Sequence, residues 1–160
     1  MKKYLAPALV SAFLLGIGAA TPSLVQAAYV EAHMNHAPYG TVKMVIPVTA
    51  TNPQVWGMKL HNLANAEAAA KAGGGSVDAR VVLYARGVEM LTQPMAEPLK
   101  KAIDGLRKAG VKFIVCNNSL QTLQIDWHSL YGVTEADIVP SGFLEIGWLA
   151  NQGYAVEAMN

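Results

Sequence analysis

The 160-residue sequence contains one cysteine, Cys116, so no disulfide can form within the chain. Charge is also scarce. Charged residues make up 14% of the chain, and 12 Lys and Arg stand against 11 Asp and Glu, a formal net charge of +1. That balance excludes the basic surface that nucleic-acid binding requires. The sequence has no CxxC, CxxCH, HExxH or GxxxxGK motif. Their absence removes thioredoxin-type redox chemistry, haem attachment, zinc-protease chemistry and a phosphate loop. There is no internal repeat and no low-complexity tract, and the length suits one domain with one core.

The amino end is the one long apolar stretch. In "MKKYLAPALVSAFLLGIGAATPSLVQA", Lys2 and Lys3 precede an apolar run from about Leu5 to Ala20. The run is short for a membrane-spanning helix, holds Pro7, and gives way to Thr21-Pro22-Ser23 and the small-x-small motif Val25-Gln26-Ala27. Residues 1–27 are therefore expected to be a cleavable signal peptide. Without a cysteine at the cleavage site, a lipoprotein is excluded. Loss of Lys2 and Lys3 turns 12 basic and 11 acidic residues into 10 and 11, a net charge of −1. The mature protein is expected in the periplasm, with no membrane attachment after cleavage, as an N-terminal arm over 28–40 and one domain over 41–160.

Within that domain, short apolar runs alternate with helical patterns. "TVKMVIPVT" reads as a strand rich in Val, Ile and Thr. Asn52-Pro53 then supplies an N-cap and a first-turn proline for a helix that ends at Gly73-Gly74-Gly75. In this helix Trp56, Leu60, Leu63 and Ala70 share one side, with Lys59, Asn62 and Lys71 elsewhere. "DARVVLYA" is a second strand followed by a loop at Arg86-Gly87, and residues 95–109 form a second helix closed by Gly110. "VKFIVC" is the third strand and runs into a short helix capped within Asn117-Asn118-Ser119. "ADIVP", "SGFLEIGWLANQ" and "YAVEAM" follow as strand, helix and strand. Continuous apolar strands between helices indicate an α/β fold with a mostly parallel sheet covered on both faces.

In such a sheet, ligands gather at the carboxyl ends of the strands. Thr51-Asn52, Arg86-Gly87, Cys116-Asn117-Asn118 and Pro140-Ser141-Gly142 all fall on that edge. A cysteine that ends a strand and precedes a helix faces free amides, which favour the thiolate. Arg86 would add to this if the second and third strands are neighbours. Two readings stay open: Cys116 as a reactive thiol, or as core filling, since free cysteines are among the most buried residues.

The segments "GVKFIVCNNSL", "VVLYARGVEML" and "ADIVPSGFLEIGWLANQGYAV" resemble the DsrE/DsrF-like family, over about Val42 to Val156. The resemblance implies a three-layer α/β/α sandwich with a mainly parallel five-stranded sheet, assembled as a homo-oligomer, a trimer or hexamer. It also implies a sulfur carrier or sulfurtransferase that holds sulfane sulfur as a persulfide on Cys116, without a cofactor. Asn117, Asn118, Ser119, Arg86, Ser141 and Gly142 are the candidate substrate contacts. For Ser119 and Ser141, helix capping is the competing role. The run Asn117 to Thr122 carries no charge, whereas the family's sulfur carriers have small and basic residues after the cysteine and act in the cytosol. The donor and acceptor of sulfur are thus left open. A rival reading is a non-catalytic oligomeric module that binds a small molecule or copper, with His33 and His36 flanking Met34 as weak metal candidates. His128 is a candidate base for Cys116 or a hydrogen-bonded histidine, and His61 a surface or interface residue.

Overall fold

A computed structural model describes Val30 and residues 32–158, so residues 1–27, expected to be a signal peptide, lie outside the described residues. Residues 32–40 are exposed and join no helix or strand. The chain then forms β1 (Thr41–Val48), α1 (Pro53–Ala72), β2 (Ser76–Leu83), α2 (Glu97–Lys108), β3 (Lys112–Cys116), α3 (Asn117–Leu123), β4 (Ile138–Val139), α4 (Gly142–Asn151) and β5 (Ala155–Val156). Short 3₁₀ segments span Ala85–Leu91, Trp127–Ser129 and Glu135–Asp137.

The five strands form one sheet in the order β4-β3-β2-β1-β5, and every pairing is parallel. Handedness then assigns the helices to faces. From β1 to β4 the chain steps across the sheet in one direction, so right-handed crossovers keep the intervening helices on one side. From β4 it returns past the whole sheet to β5, and a right-handed crossover in that direction puts α4 on the opposite side. The result is a three-layer α/β/α sandwich.

The layers are unequal. On the α1–α2 face, Trp56, Leu60 and Leu63 from α1 and Ile103 and Leu106 from α2 join a large buried cluster with Ile46, Val81, Leu83 and Phe113. Burying each such side chain contributes roughly 1.5–3 kcal/mol. On the α4 face, the buried cluster among the described residues is Val45, Val82, Leu149 and Tyr154.

Local signals act as expected at the helix ends. The Asn52 side chain accepts from the Gln54 amide at 2.9 Å ahead of Pro53, and Gly110 follows α2 with φ +99°. Lys59 departs from the sequence expectation. It is 6% exposed and pairs with Glu157 at 2.6 Å. Glu157 directly follows β5 and stays beside β1, its amide donating to the Val45 carbonyl at 2.9 Å, and brings a carboxylate to a lysine that helical periodicity alone places off the buried side. A second difference is the segment after β2, a 3₁₀ helix rather than an open loop. Gly87 in it lies so close to β1 that a Cβ would run into the Val48 carbonyl.

Candidate functional site

Cys116 is the last residue of β3 and the N-cap of α3. It is in register with Val139 of β4. Alternation along β3 turns Ile114 and Cys116 toward α4, and Phe113 and Val115 toward the large core. The thiol therefore belongs to the thin face.

The first turn of α4 comes down directly on it. Ser141 caps α4, its side chain accepting from the Leu144 amide at 3.3 Å. Gly142, the first helical residue, is buried against β2 and β3. A Cβ there would sit 2.9 Å from the Tyr84 Cβ, 3.1 Å from the Cys116 Cβ and 3.3 Å from Val82 Cγ1. A side chain at this position would wedge α4 off the sheet, so glycine is what lets the Gly142 N–H reach the sulfur.

Ser119 supplies a second donor. Its Oγ accepts from the Ala85 N–H at 2.7 Å, which leaves the hydroxyl hydrogen free to donate to the sulfur. Ala85 holds its amide there from a left-handed conformation, φ +47°, which costs a non-glycine residue about 1 kcal/mol or more. The Asn118 amide also points into this region and is shared with the Pro140 carbonyl at 3.3 Å.

These donors act against burial. Cys116 is 4% exposed, and burial pushes its thiol up. The Gly142 amide, the Ser119 hydroxyl and the Ser119 and Asn118 amides pull it down and prevail, so the thiol titrates below the ordinary range. The arrangement is a nearly closed cradle of neutral donors around one sulfur, suited to holding a sulfur anion.

Of the residues named from sequence, Cys116, Asn118, Ser119 and Gly142 come together here, with Ser141 as the cap of α4. Asn117 is half-buried in the first turn of α3. Arg86 is 63% exposed and pairs with Glu89 at 2.7 Å. His128 is exposed, with Nδ1 2.7 Å from Asp126 Oδ1 and its ring stacked on Trp127 at 3.8 Å. His61 is exposed and bonded to Asn65. His33 and His36 are exposed, and His36 Nδ1 lies 2.6 Å from the Ala37 carbonyl oxygen. Among the described residues, no three His, Cys, Asp or Glu side chains converge to hold a metal ion.

Sequence reasoning did not single out Ala85 or Tyr84, because their roles depend on how β2 and β3 sit side by side. Gly142 carried a signal: glycine at the first position of a helix already capped by serine is a poor helix former, which points to a close approach.

Comparison with known proteins places this geometry among relatives. The DsrE/DsrF-like family matches residues 47–156. The solved structure of MTH1491 from Methanobacterium thermoautotrophicum, described as a protein of unknown function, superposes with a TM-score of 0.61 at 25% identity, covering 74% of this chain and 97% of that one. No curated protein matches the sequence.

Proposed function

Because this chain belongs to the DsrE/DsrF-like family, which is associated with sulfur relay, we propose that it carries sulfane sulfur as a persulfide on Cys116. The observation that supports this is the donor cradle: three amides and a hydroxyl directed at one buried sulfur, with no net charge of their own. With thiosulfate as donor, the Cys116 thiolate attacks the outer sulfur, a new S–S bond forms at Sγ, and sulfite leaves with the electron pair of the broken bond. An acceptor thiolate then takes the outer sulfur and Cys116 returns to the thiolate. The second step reverses the bond change of the first, and neither consumes a proton, an oxidant or a cofactor. With no other cysteine in the chain, the persulfide has no internal thiol to resolve it into a disulfide.

Wild-type protein treated with thiosulfate or polysulfide is expected to gain about 32 Da, one sulfur atom, on the intact mass. The gain should be lost in Cys116→Ser. Equal spectra for the two proteins would overturn the reading.

The burial of Cys116 favours a second reading, a non-catalytic binding module in which the sulfur is packing. Native thiol labelling separates them. A carrier labels before unfolding and faster than an ordinary thiol near neutral pH; a packing cysteine labels only after denaturant is added.

We further propose that the mature protein acts in the periplasm as a homo-oligomer, a trimer or hexamer. The export signature at Lys2, Lys3 and Val25 to Ala27 supports the location. Phe143, Leu144 and Trp148, 74%, 71% and 55% exposed on α4, support the assembly, since large apolar side chains grouped on one helix mark an interaction surface. Light scattering should give a multimer for the wild type and a smaller species for Trp148→Glu; a wild-type monomer would refute the assembly.

A further inference from the structure

The thin face of the sheet carries a second polar feature at the opposite end from Cys116. Three adjacent strands each project one cation there: Lys43 on β1, Arg80 on β2 and Lys112 on β3. Arg80 and Lys112 are register partners, and Lys43 is level with Asp78. Like charges directly opposite each other in a sheet are destabilising, so this row needs compensation.

The protein compensates it only in part. Arg80 Nη1 donates to Asp78 and to the Ala79 carbonyl, while its Nε and Nη2 make no hydrogen bond among the described residues. The Lys43 ammonium reaches the Gln152 carbonyl at 3.3 Å. Lys43 and Arg80 both lie over the Tyr154 ring, 5.4 and 5.3 Å from its centroid. The Lys112 side chain has no ion pair or hydrogen bond among the described residues. All three cations line one cavity of about 450 Å³, walled by Trp148, Leu149 and Tyr154.

The nearby acids are mostly committed. Asp78 accepts from the Tyr154 hydroxyl at 2.6 Å as well as from Arg80. Asp137 Oδ2 accepts from the Thr134 amide and hydroxyl at 2.8 and 2.7 Å. Glu145, the other carboxylate on the cavity wall, has no side-chain hydrogen bond or ion pair among the described residues. The cavity wall thus carries three cations against two carboxylates, and its spare N–H donors favour an occupant that brings acceptors and negative charge.

We propose that this cavity binds a small tetrahedral oxyanion of the sulfate, thiosulfate or phosphate type, held between Lys43, Arg80 and Lys112. It is separate from the sulfur cradle, since Lys112 and Cys116 lie four residues apart on β3, about 13 Å. The proposal does not rest on the persulfide reading.

The test is titration of the mature protein in a Cys116→Ser background, where thiosulfate has no thiol to react with. Sulfate, thiosulfate, phosphate and chloride are compared at equal ionic strength by amide chemical shifts. At least one of the three oxyanions is expected to give saturable shifts in β1, β2 and β3 around the cation row, and their relative affinities identify which is preferred. Lys112→Gln, an exposed change that leaves the core alone, should weaken binding by about fivefold, and Glu145→Gln should tighten it by a similar factor. Responses no larger than those to chloride overturn the proposal, as do wild-type affinities in both variants.

Discussion

The two faces of the sheet are built from the same strands and serve different ends. Among the described residues, the apolar cluster on the α1–α2 face holds eighteen buried residues and the one on the α4 face holds four. The larger cluster is closed by residues at helical and strand spacing and has little to offer chemically. The smaller one leaves sheet surface at both ends of α4, and the polar features lie there: the Cys116 cradle at the carboxyl ends of the strands and the cation row nearer their amino ends. The difference follows from topology. Three crossovers stack their helices on one side, and the single return crossover has one ten-residue helix with which to cover the other. Apolar burial is concentrated on one face and the polar features lie on the other.

The largest effect expected from this contrast is on stability. Leu60→Ala, in the thick cluster, should cost toward the upper part of the roughly 2–5 kcal/mol range for buried leucine, and Leu149→Ala toward the lower part, because the thin layer can collapse around the gap. Urea unfolding of the two variants measures both, and an equal or greater loss at Leu149 would break the contrast. Next is Gly142→Ala, which should cost about 1–3 kcal/mol through overpacking against Tyr84, Cys116 and Val82. It should also move the Gly142 amide from the sulfur and raise the thiol pKa, seen as a shift of the labelling-rate profile to higher pH. A stability loss without that shift would mean that the amide does not stabilise the thiolate.

A subtler effect is the pH dependence of stability. The folded Cys116 thiol titrates below its unfolded value, so between the two values the folded state binds fewer protons. The stabilisation from this group is complete above the unfolded pKa, about 8.5, and is lost as pH falls through the folded pKa. Wild type minus Cys116→Ser stability should therefore rise with pH across that window; a flat or falling difference would contradict the cradle. The smallest effect is expected at Arg86. Arg86→Gln removes an exposed pair with Glu89 and should change stability by less than about 1 kcal/mol, with the thiol labelling profile unmoved. A clear shift of that profile would bring Arg86 back into the site.

Much of the fold was legible because its signals are local. Asn52-Pro53 starts α1 through its own side chain and ring, and Gly110 ends α2 through its own φ. Cys116 at the end of an apolar run predicts a strand-to-helix junction from neighbours alone. The site was legible as a set of residues at the sheet edge, Cys116, Ser119, Ser141 and Gly142 among them, and not as the contacts between them. Lys59 reads as an exposed helical lysine until Glu157, far away in sequence, arrives beside it. Ala85 reads as the end of a strand, and its left-handed backbone makes sense only against the Ser119 hydroxyl it feeds.

By itself the sequence determined the alternation of strands and helices, the caps, and the place of the lone cysteine at a strand's carboxyl end, since each depends on contacts within a few residues. Only the tertiary structure decided that this cysteine faces α4, that it is enclosed, and that donors from both α3 and α4 lower its pKa. Those properties come from the return of the chain from β4 to β5, which lays Gly142 across β2 and β3 at a distance no local pattern encodes.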